Sequence, residues 1–239
     1  MGPQVSWSSF DNKDYRDQYQ VKPVWGYHAG FNVSFRVQKR FFLHSSFLYS
    51  QKGKIIEGKD DPHLRNEVKY NYLELPILYT VEFKSKIGNG KEFKWYFGAG
   101  PNISYWLGGK GTIVNSEIKE QALTTDNVGY RLVFNKDNND VADNQMNVED
   151  ANRLQLGLNL SAGTVFEPFG YQKIMLTVRY ELGHTFLSKT GYGVFPITGE
   201  YKDVLRARNN GLRISLAYLI DLKIDQRKKG KSTIKKKGR

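Results

Sequence analysis

From residue 25 to residue 37 the chain alternates without a break. Trp25, Tyr27, Ala29, Phe31, Val33, Phe35 and Val37 hold the odd positions, against Gly26, His28, Gly30, Asn32, Ser34 and Arg36. A period of two places these sets on opposite faces of a β-strand, one apolar and one polar or small. Residues 93 to 108, 154 to 166, 174 to 186 and 210 to 222 show the same alternation. Segments 41 to 53 and 70 to 83 show it with more exceptions, and 2 to 9 supplies a short first strand, so the pattern predicts eight strands. Their connections alternate too. Short ones at 38 to 40, about 84 to 92 and 167 to 172 are interleaved with long ones at 10 to 24, 54 to 69, 109 to 152 and 187 to 209.

An even-stranded meander with short turns at one end and long loops at the other is the plan of an all-β, eight-stranded antiparallel up-and-down transmembrane barrel. It predicts a bacterial outer-membrane location with both termini periplasmic. The polar faces repeat one motif, in GPQVSW at 2 to 7, GFNVSF at 30 to 35, GPNISYW at 100 to 106 and GLNLS at 157 to 161. Gly, Asn or Gln, and Ser suit the narrow interior of eight strands, with the aliphatic and aromatic residues turned to lipid. A soluble barrel with its apolar face inward is the rival, but Gly, Asn and Ser are poor strand residues on an open surface.

Composition agrees. Aromatic residues make up 14% of the 239, Gly contributes 23, and no apolar run is long enough for a spanning helix. Cysteine is absent, so disulfides and thiolate metal sites are excluded. The formal charge of +12 is concentrated in KIDQRKKGKSTIKKKGR, residues 223 to 239, where nine Lys or Arg face one Asp. The barrel is therefore assigned to 1 to 222 and a basic, disordered periplasmic tail to 223 to 239, including Lys228, Lys229, Lys235, Lys236 and Lys237. Nucleic acid is not an expected partner. Residues 1 to 20 carry no export signal, and Met1 stands directly before a strand-like segment, so the start of the natural precursor is expected to be missing.

The segments FLHSSFLYSQKGK at 42 to 54, YNYLELPILY at 70 to 79 and YFGAGPNISYW at 96 to 106 resemble the outer-membrane β-barrel domain family of Bacteroidota, the porin-family or PorT-like barrels. The resemblance runs from Gly2 to about Leu222. It implies the barrel fold and the outer-membrane location, in a family of diverse function.

Candidate chemistry falls on three regions. Glu74, Arg179, Glu181 and Arg213 lie on inward faces, where buried charges must pair, and adjacency of the last two strands can bring Glu181 to Arg213. Trp25, Tyr27, Phe93, Trp95 and Tyr105, with Phe83, lie outward near strand ends, as interfacial girdles do. The tail is a candidate tether for acidic envelope partners. His28, His44 and His184 raise a hydrolase, with Ser188 near His184, but His184 is in the outward register and no third group is placed. Asp137, Asp140 and Asp143 are hard oxygen donors without an EF-hand pattern, read as a solvated loop. GGKGT at 108 to 112 breaks the phosphate-loop order. No cofactor, metal or catalytic activity is expected. The leading reading is a structural or interaction barrel, partnered by the bilayer and by an envelope protein through loops or tail. A narrow porin is second, and an outer-leaflet lipid enzyme third.

Overall fold

The computed structural model describes residues 1 to 86, 92 to 121, 127 to 137, 140 to 166, 173 to 196 and 201 to 220. Eight strands close into one ring: β1 (Gly2–Phe10), β3 (Val24–Arg36), β4 (Phe41–Gly58), β5 (Arg65–Lys86), β6 (Glu92–Val114), β9 (Leu154–Phe166), β10 (Lys173–Gly183) and β13 (Ala207–Leu219). Each is antiparallel to the next, and β13 returns to β1 with Gln4 opposite Arg213 and Phe10 opposite Ala207. β1 is short. It meets β3 only from Gly2, opposite His28, to Ser6, opposite Val24, so no ladder joins Gly30–Arg36 to β13 among the described residues.

The alternation sorts inside from outside as the sequence predicts. Even positions of β3, β4, β5, β6 and β1 and odd positions of β9, β10 and β13 line the lumen. Their neighbours Phe31, Phe47, Tyr79, Phe97, Leu158, Leu160 and Ile214 are exposed on the outer face. On β5 the apolar outward run reaches from Leu73 to Phe83. Ten steps on a strand tilted by about 45° span roughly 24 Å, close to the apolar height of an outer-membrane barrel. Trp25, Tyr27 and Tyr105 stand at the rim nearer the long connections. Phe83 and Trp95 stack at the other rim with ring centroids 4.5 Å apart, beside Phe93.

The long connections depart from the sequence reading, which made them loops. β4, β5 and β6 continue past the apolar band, so that Ile55 faces Glu67 and Val68 faces Gly111. There the two faces exchange character. Outward positions become Gln51, Glu57, Arg65, Glu67, Lys69 and Lys110, while Ile56, Val68, Tyr70 and Tyr72 point inward.

Onto this extension fold α1 (Lys13–Gln18), β2 (Tyr19–Lys22), α2 (Ser116–Gln121), β7 (Val128–Phe134), β8 (Gln145–Val148), β11 (Tyr192–Val194) and β12 (Lys202–Val204). β7 pairs with β6 and, in parallel, with β8; β8 pairs with β11, and β11 with β12. Trp106, Met146, Leu187, Phe195 and Leu205 form the centre of an apolar core that closes the mouth as a cap. The region 135 to 145, read as a solvated loop, is thus partly edge structure of this cap, and residues 138 and 139 lie outside the described ones.

The GGKG run at 108 to 111 has a structural use. The β5–β6 register shifts between Asn71 and Tyr72, which face Gly108 and Trp106, leaving Leu107 as the extra residue. Beyond it, a Cβ at Gly111 would lie 2.4 Å from the Tyr130 ring, so glycine lets β7 settle against β6.

Which face meets lipid can be tested by substitution. Leu160→Arg, at the middle of the outward band of β9, is expected to cost about 2–4 kcal/mol of folding into phospholipid vesicles. The adjacent inward Ser161→Ala is expected to cost much less. Heat-dependent migration of the folded barrel on detergent gels, followed through a urea series, reads both.

Candidate functional site: the lumenal charge cycle and its cap

Four charged side chains from four strands meet across the lumen. Arg213 on β13 donates through Nη1 to Glu74 Oε2 at 2.6 Å and through Nη2 to Glu181 Oε2. Lys52 on β4 donates to Glu181 Oε1 at 2.5 Å and pairs with Glu74 Oε1. Each carboxylate therefore touches both cations, and the four close a cycle with no net charge.

Remaining lone pairs are also used. Ser50 Oγ donates to Glu74 Oε1 at 2.9 Å, and Asn102 Nδ2 to Glu181 Oε1 at 2.9 Å. Lys52 Nζ sits 5.1 Å from the centre of the Tyr72 ring. All four charged residues are buried, Glu74 at 1% exposure. Charges so far from water persist only when paired in this way.

All four sequence-predicted residues lie in the lumen, and Lys52 joins them. Glu74, Glu181 and Arg213 are brought together. Arg179, although buried and inward, stands outside the cycle, because β10 sets it directly opposite Arg213 and the two guanidiniums repel. Lys52 was overlooked as a site residue, although its even position on β4, in line with Ser46 and Ser50, already turned it inward.

Towards the short-turn end the lumen holds hydrogen-bonded polar groups and a small apolar cluster of Tyr96, Val165 and Met175. His28 Nε2 meets Ser215 Oγ at 2.7 Å beneath Gly2. His44 contacts Ser34 Oγ at 2.6 Å and Thr80 Oγ1 at 2.9 Å, and stacks on Tyr96, whose hydroxyl pairs with Thr177.

Above the cycle Tyr72 accepts from Asn209 Nδ2 at 2.9 Å, and the apolar core of the cap begins. A buried ion pair ties the cap to the wall: Lys54 Nζ lies 2.9 Å from Asp203 Oδ1 and donates to Val204 O at 2.6 Å. Both residues are fully buried. Burial pushes the Asp203 carboxyl up from its ordinary value, and Lys54 works against that shift. At the cap rim Asp61 accepts from Ser116 Oγ at 2.8 Å and from His63 N at 2.9 Å. Against the opposing effect of burial, these bonds hold its carboxyl below the usual range.

Other sequence candidates have plain placements. His184 is exposed, and Ser188 is buried and donates to Glu149 O at 2.6 Å. Asp137 accepts through its backbone carbonyl from Asp140 N at 2.9 Å, and no cluster of His, Asp or Glu able to hold a metal ion occurs among the described residues. No helix among them is long and apolar enough to cross a membrane, which leaves strand crossing open. The basic tail, with Lys228, Lys229, Lys235, Lys236 and Lys237, lies outside the described residues.

A closed eight-stranded ring with an apolar outer band and a polar, filled lumen defines an outer-membrane β-barrel. A family model supplies the particular assignment: the outer membrane protein beta-barrel domain matches residues 2–185, and the chain belongs to that family. The matched stretch contains seven of the eight ring strands and stops before β13. No curated protein and no solved structure matches the chain.

Two substitutions probe this architecture. Arg213→Met leaves Lys52 as the one cation in direct contact with Glu74 and Glu181. It is expected to cost about 3–5 kcal/mol, read as a lower urea midpoint in detergent micelles, with part recovered by adding Glu74→Gln. Asp203→Asn leaves the Lys54 ammonium buried without its counter-charge. It is expected to speed hydrogen exchange in β11 and β12 while amides of β9 and β10 keep their protection.

Proposed function

We propose a non-enzymatic, structural or interaction role in the outer membrane, as an accessory to a transport or secretion assembly. The observation that carries this reading is the double closure of the lumen. The charge cycle spans its cross-section, and an apolar cap covers the mouth above. A barrel filled in this way is suited to contact rather than passage.

On this reading the cap faces outward and the short turns, both termini and the basic tail face the periplasm. The cap offers one contact surface, including a cleft of about 590 Å³ at the rim that is lined by Trp7, Phe10, Arg16, Tyr19, Val21 and Lys59 among others. The tail offers a second, suited by charge to an acidic envelope partner. The engagement of the Ser188 hydroxyl by Glu149 O, rather than by a histidine, supports a non-catalytic role.

Planar-bilayer recording separates contact from passage. Purified wild-type protein is expected to insert without stepwise conductance at moderate voltage. A reproducible ohmic step would put the narrow porin ahead of this reading.

A further inference from the structure

Arg179 sits in the lumen at 5% exposure, and its Nε and Nη1 have no hydrogen-bond partner. Its strand neighbours cannot neutralise it, since Arg213 lies opposite on β13 and Ser161 on β9. Both carboxylates within reach, Glu74 and Glu181, are already committed to Arg213 and Lys52. The central lumen therefore holds three cations, Lys52, Arg179 and Arg213, against two carboxylates, an excess of one positive charge. Protonation of His28 or His44 would only increase it.

Two neutral groups near Arg179 are orphaned as well. Asn159 is fully buried, and neither its Oδ1 nor its Nδ2 has a partner. It faces Glu181 across the β9–β10 ladder, which makes it the diagonal neighbour of Arg179, within side-chain reach. His28 Nδ1 is also unpartnered, on the ring whose Nε2 is held by Ser215. Ser215 is in turn two residues from Arg213, on the strand facing Arg179.

An unpaired guanidinium in a buried interior is costly; Arg179 Nε and Nη1 and Asn159 Nδ2 lack acceptors, and the orphaned Asn159 Oδ1 is neutral and cannot balance the charge. Water can satisfy the hydrogen bonds but leaves the charge. An anion answers both.

We propose that the lumen holds a bound halide-sized anion on Arg179 with the Asn159 amide as its second donor. The charge cycle bounds the site on the cap side. Tyr96, Thr177 and His44 bound it on the other, all buried or joined by hydrogen bonds. Beyond them Glu82 lies in the field of Arg36, Lys94 and Lys173, a cationic setting that favours the approach of anions to this end. The site requires only a polar, filled lumen, so it stands whether the barrel conducts or not.

The test uses full-length protein refolded in micelles in chloride, bromide or gluconate at equal ionic strength, gluconate being too large for the filled lumen. The thermal midpoint of the gel shift is expected to rise by about 3 °C from gluconate to chloride, and Arg179→Met is expected to abolish that dependence. Crystals grown in bromide are expected to show an anomalous peak in contact with Arg179 and Asn159. Equal midpoints in both anions, or a lumen without an anomalous peak, overturn the proposal. If Arg179→Met fails to fold, the wild-type bromide peak decides alone.

Discussion

Inside a bilayer a strand has no water to satisfy its N–H and C=O groups, so a sheet survives there only if it leaves no free edge. In this chain the ladder between β1 and β13 joins the first strand to the last and turns an open meander into a ring over the cap-side part of the seam, while Gly30–Arg36 of β3 has no ladder on that side among the described residues. Closure with only eight strands then fixes the interior. The bore is about the width of opposed side chains, so inward residues must interlock, small, polar or paired at the centre, with larger ones such as Tyr96 and Met175 towards the short turns and Trp106 at the cap end. The repeated Gly, Asn or Gln and Ser positions are the sequence record of that confinement.

Within this narrow bore the charge cycle acts as a crosspiece. Its members come from β4, β5, β10 and β13, so it connects walls that are remote around the ring. Because alternation has a period of two, sliding any of these strands by one residue would turn its charged member into the lipid. The cycle therefore rewards one register among neighbours, whatever its net contribution to stability, which for buried ion pairs is often small. Glu74 and Glu181 could not both be tolerated with only one cation, and here each has two.

Much of this was legible in the residues. The alternation at 25 to 37 and 154 to 166 located strands and their faces, and the inward placement of Glu74, Glu181 and Arg213 followed from parity alone. Lys52 could have been added by the same rule, but it sits where the pattern of the third strand degrades. The isolation of Arg179 was not legible, because cross-strand register, which sets it against Arg213, depends on turn lengths and ring shear rather than on periodicity. The cap was hidden for a different reason: short strands such as Tyr192–Val194 and Lys202–Val204 are too brief for a period to declare itself.

The degraded pattern near residues 51 to 56, 65 to 72 and 106 to 113 has a common cause. The same three strands pass through two solvents. Within the band they are apolar outside and polar inside. Above it, where water replaces lipid, Glu67 and Lys69 face outward and Val68 and Tyr70 turn to the cap core. The exchange falls next to the β5–β6 irregularity at Asn71 and Tyr72, where Leu107 is the extra residue and the parity of β6 inverts. A bulge there lets Trp106 remain inward below it and Ile113 become inward above it, so one strand serves two cores of opposite chemistry. What looks in the sequence like a noisy strand is the boundary of the membrane written into the chain.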